Sequence, residues 1–309
     1  MEGNAAIMQT AIITCVNENW LAPACVTLLS VHRNLAAAKS DFIIVVDKLS
    51  AEGRRDVAEF EARHKIKINL KTHEPQGFES LDPHRYSSAT FLRLCLPEII
   101  SQNYQRILYL DSDVLAVADV TPLLQGDLKS HTLGAVPEVK MAPGRGILTD
   151  WHRRKLGIAA NADYFNAGVL LFDWQQTLAN RMLEKARTLL LSGKHFDFLD
   201  QDALNLVYES RWTALPLKWN VEQSAACYLN VAPALRHFNH AAKPWDWSHI
   251  LAYAPHHRYY VDALNGLALQ RFLQKPKRGN PALASIEYHF RKASLHQRSF
   301  LRRKYAKLL

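Results

Sequence analysis

Cysteine is scarce in this sequence: Cys15, Cys25, Cys95 and Cys227 lie far apart and form no CxxC pair. A disulfide framework or a zinc site draws on cysteines at characteristic spacings, so both are disfavoured. Three of the four lie in apolar surroundings. We expect buried free thiols that carry no chemistry.

Long hydrophobic runs and a leader pattern are also missing. The sequence has no stretch of about 18 uninterrupted apolar residues, the length that a membrane-spanning helix requires. The N-terminus, MEGNAAIMQTAIITCVNENW, has neither the basic start nor the small-residue cleavage pattern of a signal peptide. We therefore expect an intracellular, cytoplasmic protein.

Internal repeats and low-complexity linkers are absent too. In the first half, short apolar runs such as TAIITCV, DFIIVVD and RILYL alternate with helical patterns. That alternation is typical of an α/β fold around a mainly parallel sheet. We expect one domain over residues 1–270 and a separate tail over 271–309.

Two longer segments, SATFLRLCLPEII and QQTLANRMLEKARTLLLSG, are each predicted as one helix, the second ending at Gly193.

Acidic residues are missing from the end of the chain. The formal net charge is +9, and no carboxylate side chain follows Glu287. The basic tail also places Leu301, Tyr305 and Leu308 at helical spacing, which predicts an amphipathic helix on an anionic membrane surface. A helix packed on the domain is the alternative. A nucleic-acid-binding protein would explain the same charge, but no array of stacking aromatics accompanies it, so no nucleic acid is expected.

The stretch RILYLDSDV places Asp111 and Asp113 directly after an apolar run. Side chains at i and i+2 of an extended strand project to the same side, so the two carboxylates can converge on one cation. Mg²⁺ and Mn²⁺ prefer oxygen ligands and often bridge protein carboxylates to phosphates. An acidic, solvated turn is the alternative, but ligands of open α/β sheets collect at the carboxyl ends of strands.

The stretch YFNAGVLLFD places Asn166 before a small Ala167–Gly168 step. The amide can bind a hydroxyl, and the glycine lets a ligand or another backbone come close. A turn that enters a buried strand is the alternative.

Two further stretches carry polar residues of the same kind. In FDFLDQDALNLVY, the residues Asp200, Gln201 and Asp202 open a helical pattern, and an N-cap would account for only one of them. In LRHFNHAAKPW, His237 offers an imidazole and Lys243 a point charge for a phosphate. Together with the two aspartates, this set suits a metal-chelated sugar diphosphate.

Taken in order, YLDSDVL, YFNAGVLL, DQDALN and HFNHAAKPW resemble the motifs of the family 8 glycosyltransferases. That family is retaining and metal-dependent, and it includes galactosyl- and glucosyltransferases of bacterial lipopolysaccharide core. The resemblance implies a GT-A-type, Rossmann-like fold and transfer of a hexose from a UDP-sugar with Mn²⁺ or Mg²⁺. It also implies a saccharide acceptor. The basic tail adds the expectation of peripheral attachment to the inner face of the cell membrane, close to a lipid-linked acceptor.

Carried over position by position, the resemblance implies a metal held by Asp111, Asp113 and His237. The residues that it assigns to the donor are Asn17, Glu18, Asn19, Trp20, Arg93, Ser112, Asn166, Ala167, Asp200, His240 and Lys243. Of these, 17–20 match the uridine loop, and Lys243 matches a residue that neutralises the phosphates.

For catalysis, the resemblance places Gln201 on the face of the sugar opposite the leaving group. An amide is a poor nucleophile, so we expect a front-side displacement that Gln201 supports electrostatically. Asp202 is the alternative, as a covalent nucleophile. Glu138 matches an acidic position on the acceptor side.

Two positions depart from the family pattern. Asn17 stands where an acidic residue commonly binds the uracil edge, and His240 stands where a glycine usually lets the backbone pass the phosphates. A family member that binds a UDP-sugar without turning it over is therefore the alternative to an active enzyme.

Overall fold

The computed structural model describes residues 9–36, 40–78, 88–142, 145, 147–239, 243–246, 254–274 and 295–309. Its strands are β1 (Thr10–Val16), β2 (Ser40–Val46), β3 (Ile68–Thr72), β4 (Arg106–Leu110), β5 (Val114–Ala116), β6 (Leu133–Pro137), β7 (Phe165–Asp173), β8 (Trp212–Ala214) and β9 (Leu235–His237). They form a seven-stranded sheet in the order β3-β2-β1-β4-β7-β6-β8 and a two-stranded sheet of β5 and β9.

Helices cover both faces of the larger sheet. The α-helices are α1 (Leu21–Arg33), α2 (Ala51–His64), α3 (Leu96–Ile99), α4 (Thr121–Leu124), α5 (Ile147–Leu156), α6 (Trp174–Ala179), α7 (Met182–Leu190), α8 (Leu199–Val207), α9 (Gln223–Leu229), α10 (Ala254–Leu264) and α11 (Leu295–Lys304). Shorter 3-10 helices span Glu18–Trp20, Ser88–Cys95, Val139–Met141, Leu217–Asn220 and Ala268–Gln274.

The larger sheet is mixed and mainly parallel. β1 runs parallel to β2 and β4, and β2 parallel to β3, whereas β7 is antiparallel to β4 and β6. Because strand side chains alternate between faces, Ile12 packs into one core and Ile13 into the other. The predicted α/β class and its mainly parallel sheet are confirmed.

Strand order reverses beside β1. The chain leaves β1 toward β2 and β3, then returns to place β4 on the other side of β1. Connections that diverge from two neighbouring parallel strands leave a crevice at their carboxyl ends. That crevice lies next to residue 17, after β1, and residue 111, after β4.

Both segments predicted as single helices are interrupted. Residues 88–100 form a 3-10 helix followed by α3, with Pro97 in the first turn of α3, where its missing N–H costs no helical hydrogen bond. The segment 175–193 forms α6 and α7, because Arg181 between them adopts a left-handed conformation with φ of 51°. The single-helix predictions are wrong at these two breaks.

Cys15, Cys25 and Cys95 are free thiols, as predicted. Cys25 and Cys95 are also buried as expected, whereas Cys15 is only half-buried. The side chain of Cys227 lies outside the described residues. Among the described residues, no helix combines the length and the apolar composition that a membrane crossing needs.

The C-terminal helix packs on the protein. Leu301 is fully buried and Tyr305 is nearly so. Both belong to the core that contains Ile12, and Leu308 packs against the same core. The carbonyl of Leu308 also accepts a hydrogen bond from Leu217 N at 2.8 Å. The prediction that these apolar residues face a membrane is wrong, because the fold covers them. The domain boundary at residue 270 stays a prediction, and the 3-10 helix Ala268–Gln274 crosses it.

Candidate active site

Asp111, Asp113 and His237 meet at the carboxyl end of β4. The pairing of β5 with β9 sets Val114 opposite His237, which brings the imidazole beside the two carboxylates. His237 Nε2 lies 3.2 Å from Asp113 Oδ1 and 3.8 Å from Asp111 Oδ2. Two carboxylates and one imidazole around a common point form a ligand set that suits Mn²⁺.

Gly168 makes room for His237. A Cβ atom at this position would lie 2.2 Å from Cε1 of the His237 ring, far inside van der Waals contact. The carbonyl of Gly168 also accepts a hydrogen bond from Asp111 N at 2.9 Å. The small residue predicted to allow a close approach therefore admits a protein side chain, and it couples β7 to both sides of the metal site.

A buried chain of amides fixes the tautomer of His237. His237 Nδ1 lies 2.9 Å from Asn220 Oδ1, which can only accept a hydrogen bond, so Nδ1 carries the proton. Asn220 Nδ2 in turn donates to Asn166 Oδ1 at 2.8 Å, and Asn166 Nδ2 donates to Glu138 Oε2 at 2.7 Å. The lone pair of His237 Nε2 is thereby left facing Asp113.

The carboxylate opposite Nε2 fits a cation. Asp113 Oδ1 is buried and makes no well-aligned hydrogen bond with the described residues. In the tautomer set by Asn220, it faces the lone pair of His237 Nε2, and two acceptors at this distance need a cation or a proton between them. A metal ion held by Asp111, Asp113 and His237 meets that need.

Asn220 reaches the site only through the fold, and sequence reasoning missed it. We expect Asn220→Leu to weaken Mn²⁺ binding by about 10- to 100-fold, the usual effect of losing a partner that orients a metal ligand. Titration calorimetry of Mn²⁺ measures the change. Asn34→Leu is the matched control: it removes a half-buried amide that donates to Ser30 and Ala116 backbone carbonyls, so only stability falls. Wild-type Mn²⁺ affinity in Asn220→Leu would contradict the assignment.

Lys243 neutralises Asp113. Lys243 Nζ lies 2.7 Å from Asp113 Oδ2 and also donates to the carbonyl of Phe238. Burial raises the pKa of Asp113, but the charge of Lys243 and its hydrogen bond outweigh burial and hold the pKa well below its usual range. Asp113 therefore stays ionised at neutral pH, as a metal ligand must be.

Arg93 joins three parts of the site. Its Nη2 lies 2.9 Å from Asp111 Oδ1, its Nε lies 2.9 Å from Asp200 Oδ2, and its Nη1 donates to the carbonyl of Ala167 at 2.8 Å. Burial raises the pKa of Asp200 to about 6, although the charge of Arg93 opposes the shift. Tyr109 adds a hydrogen bond to Asp111 Oδ1 at 2.8 Å. These contacts fix both carboxylates in position.

Gln201 and Asp202 have different surroundings. Gln201 lines the site, where its Oε1 accepts from Ala167 N at 2.9 Å and its Nε2 donates to the Tyr164 hydroxyl at 3.2 Å. Asp202 is fully buried behind Tyr164. Its Oδ1 contacts the Tyr164 hydroxyl at 2.6 Å and His152 Nε2 at 3.0 Å, and its Oδ2 accepts from Phe198 N at 2.8 Å. The structure does not bring Asp202 to the cavity.

The predicted uridine loop follows β1, as the 3-10 helix Glu18–Trp20. Glu18 accepts hydrogen bonds from Ser50, the residue that caps α2, so its carboxylate supports the fold. Trp20 packs edge-on against Trp245 at 5.7 Å between ring centroids. Asn17 is half-buried and Asn19 is exposed.

Of the two remaining residues predicted to bind the donor, the structure describes Ser112 but not His240. The carbonyl of Ser112 accepts from Thr27 Oγ1 at 2.9 Å, which ties the loop between the two aspartates to α1. His240 lies outside the described residues.

A cavity of about 330 Å³ opens beside Asp111, Asp113 and His237. The predicted residues that line it are Asp111, Asp113, Glu138, Asn166, Gln201 and His237. Sequence reasoning missed four others, Lys140, Met141, Phe198 and Asn239, because no local pattern marks them. Burial, reinforced by the charge of Glu222, raises the pKa of Glu138, so this carboxyl group takes a proton more readily than an exposed one.

Residues 11–248 match the family model for glycosyl transferase family 8. The chain belongs to this family. The match covers all four motifs that carried the resemblance, and the predicted family is confirmed.

Three relatives are between 21% and 25% identical to this family 8 protein. General stress protein A of Bacillus subtilis is 21% identical over 258 residues, which cover 76% of this chain and 87% of the relative. Lipopolysaccharide 1,2-glucosyltransferase of Escherichia coli K12 is 25% identical over 263 residues, covering 81% and 75%. Lipopolysaccharide 1,3-galactosyltransferase of Salmonella typhimurium is 23% identical over 264 residues, covering 80% and 75%.

Among solved structures, galactosyltransferase LgtC in complex with donor and acceptor sugar analogs is similar to this family 8 protein. The TM-score is 0.70 at 24% identity, and the match covers 84% of this chain and 96% of LgtC. The likeness shows a shared fold and confirms the predicted GT-A-type architecture.

Proposed function

We propose that this family 8 glycosyltransferase moves a hexose, galactose or glucose, from a UDP-sugar to a lipopolysaccharide-type glycan, with retention of configuration and with Mn²⁺. The observation that carries the proposal is the convergence of Asp111, Asp113 and His237 beside a cavity, with a buried carboxylate oxygen facing an imidazole lone pair. When bound there, a divalent ion would offset negative charge on the departing diphosphate.

The cationic groups of the site suit a diphosphate. Lys243 lies next to the metal cluster and Arg93 lies behind it, so both stand near the place where a chelated diphosphate would bind. The polar side chains of Asn166, Asp200 and Gln201 are the ones proposed to bind hexose hydroxyls. In the loop after β1, Asn17, Asn19 and Trp20 are proposed to bind the uridine.

For retention, the geometry favours a front-side reaction over a covalent intermediate. Gln201 lines the cavity and is held from both ends of its amide, so its dipole is preorganised to support positive charge on the sugar. Asp202 lies behind Tyr164 and accepts three hydrogen bonds, so it orients the residues around Gln201. In a front-side reaction, the leaving diphosphate oxygen accepts the proton of the acceptor hydroxyl.

We expect Asp202→Asn to keep turnover per folded molecule within about 10-fold of wild type, whereas a covalent nucleophile would lose far more. Its folding stability should fall by about 1–3 kcal/mol, because the single oxygen of the new amide cannot accept all three hydrogen bonds that the two carboxylate oxygens accept from Tyr164, His152 and Phe198. Single-turnover kinetics measures the first effect, on protein whose folded state is verified by circular dichroism, and thermal denaturation measures the second. Turnover lower by about 1,000-fold in well-folded Asp202→Asn would restore the covalent route.

The acceptor proposal is supported by relatives that act on lipopolysaccharide. The test is incubation with UDP-galactose or UDP-glucose, Mn²⁺ and a truncated lipopolysaccharide core, followed by NMR of the product. We expect one of the two sugars to be transferred with an α-linkage. A β-linked product would contradict retention, and binding of a UDP-sugar without any transfer would favour a family member that has lost turnover.

Peripheral attachment to the inner face of the cell membrane is a further part of the proposal. With the apolar side of α11 packed on the protein, attachment rests on the exposed Arg302, Arg303 and Lys307. Near an anionic surface, each such charge contributes about 1 kcal/mol.

Replacing Arg302, Arg303 and Lys307 with glutamine should therefore weaken binding to phosphatidylglycerol vesicles by about 100-fold in a sedimentation assay. The matched control replaces the exposed Arg55, Lys67 and Lys71, far from α11 in sequence, and should bind as wild type does. If both variants lost the same amount of vesicle binding, net charge alone would explain the effect. If the first variant bound vesicles as wild type does, the attachment through these residues would be refuted.

A further inference from the structure

A second cluster of metal-ligating side chains lies near the outer edge of the sheet, away from the cavity. His73 directly follows β3, Cys95 ends the 3-10 helix Ser88–Cys95, and Glu98 lies in α3. One ligand atom from each residue lies within 4.8 Å of the other two. The cluster shares no residue with the candidate active site.

Contrary to the expectation from sequence that the cysteines carry no chemistry, we propose that His73, Cys95 and Glu98 bind a divalent ion of the zinc class, with water as a fourth ligand. A thiolate selects zinc-like ions over Mg²⁺ and Mn²⁺, which prefer oxygen ligands, so this site and the aspartate site take different metals. His73 Nε2 lies 3.4 Å from Glu98 Oε2. Nitrogen and oxygen ligands of a tetrahedral zinc ion lie about 3.4 Å apart, as follows from bond lengths near 2.1 Å.

The three ligands are held by the surrounding fold. His73 N donates to the Val46 carbonyl at 3.0 Å, which extends the pairing of β3 with β2 up to the ligand. Arg187 Nη1 lies 2.6 Å from Glu98 Oε1, so the second oxygen, Oε2, is the one turned toward His73. Hydrogen-bonded partners of this kind orient the carboxylates of metal sites.

The cluster is open to solvent on the side of His73 and Glu98 and closed on the side of Cys95. Cys95 is fully buried, the His73 side chain is 24% exposed, and the Glu98 side chain is 47% exposed. An ion can therefore reach the carboxylate and imidazole from solvent and bind the thiol last. The open side leaves room for the water ligand.

Metal binding at this cluster releases a proton. Coordination forms the sulfur–metal bond as the S–H bond breaks and the proton passes to solvent. A simple ion pair between His73 and Glu98 would involve neither the thiol nor a proton release.

Cobalt titration of the metal-free, full-length protein tests the site, because a thiolate–Co²⁺ bond gives a near-ultraviolet charge-transfer band that oxygen and nitrogen ligands do not give. We expect one equivalent of this band, displaced by Zn²⁺ and lost in both Cys95→Ser and His73→Gln. It should persist in Asp113→Asn, which disrupts the other metal site, and in Cys25→Ala, which removes a buried thiol elsewhere.

No band in the wild-type protein, or a band that survives Cys95→Ser, would overturn the proposal. Because Cys95 is buried, its variant could fail to fold. His73→Gln changes a partly exposed side chain, so a band that survives in folded His73→Gln also overturns the proposal.

Discussion

Asp113→Asn is expected to lower turnover by about 1,000-fold or more, which corresponds to about 4 kcal/mol of lost transition-state stabilisation. The substitution removes one of the two carboxylate ligands. It also leaves Lys243, whose side chain is only 11% exposed, without its partner at 2.7 Å. Steady-state release of UDP measures the loss, and Mn²⁺ should no longer improve binding of the donor.

Asp262→Asn is the matched control for this substitution. Asp262 forms an exposed ion pair with Arg258 at 3.3 Å on α10, and such pairs contribute little. Its turnover and metal dependence should equal those of wild type. If Asp113→Asn kept more than about one-tenth of wild-type turnover with unchanged Mn²⁺ dependence, the metal site proposed here would be wrong.

Gly168→Ala is expected to weaken Mn²⁺ binding by about 100-fold or more without changing any ligand. The added methyl group cannot coexist with the His237 ring, 2.2 Å away, so either the imidazole or β7 must move. Overpacking of this kind should also cost about 1–3 kcal/mol of folding stability. Calorimetric titration with Mn²⁺ and thermal denaturation measure the two effects separately.

Gly193→Ala separates backbone strain from crowding at the metal site. Gly193 has a φ of +81°, and apart from its chain neighbours no atom of the described residues lies within 4 Å of an added Cβ. Alanine there should cost about 1 kcal/mol of stability through strain alone and leave Mn²⁺ binding intact. Wild-type Mn²⁺ affinity in Gly168→Ala would show that His237 is not held as described.

The sequence predicts those parts of the site that depend on one local pattern. Asp111 and Asp113 are recognisable because the apolar run of β4 ends at them, and strand periodicity sets both on one side. His237 lies more than a hundred residues later, and residue type and the family resemblance pointed to it without showing how it reaches the two aspartates. The structure supplies the physical reason, which is the pairing of Val114 with His237 between β5 and β9.

Residues that act through long-range contacts left no sequence signal. Asn220 lies in a 3-10 helix and meets His237 only because β9 passes beside it. Asp202 has the residue type that a covalent nucleophile needs, and the sequence places it next to Gln201. In the fold, its side chain contacts His152 and Tyr164 and does not line the cavity. Helical spacing identified the apolar face of α11, but spacing alone does not say whether a membrane or the protein's own core covers that face.

Calorimetric titration with UDP-galactose and UDP-glucose, each with and without Mn²⁺, tests the central claim most directly. If Asp111, Asp113 and His237 hold the cation that holds the diphosphate, one of the two nucleotides should bind in the presence of Mn²⁺, and the binding should be lost when the metal is chelated. Equal affinity with and without Mn²⁺, or no binding of either nucleotide, would contradict the account.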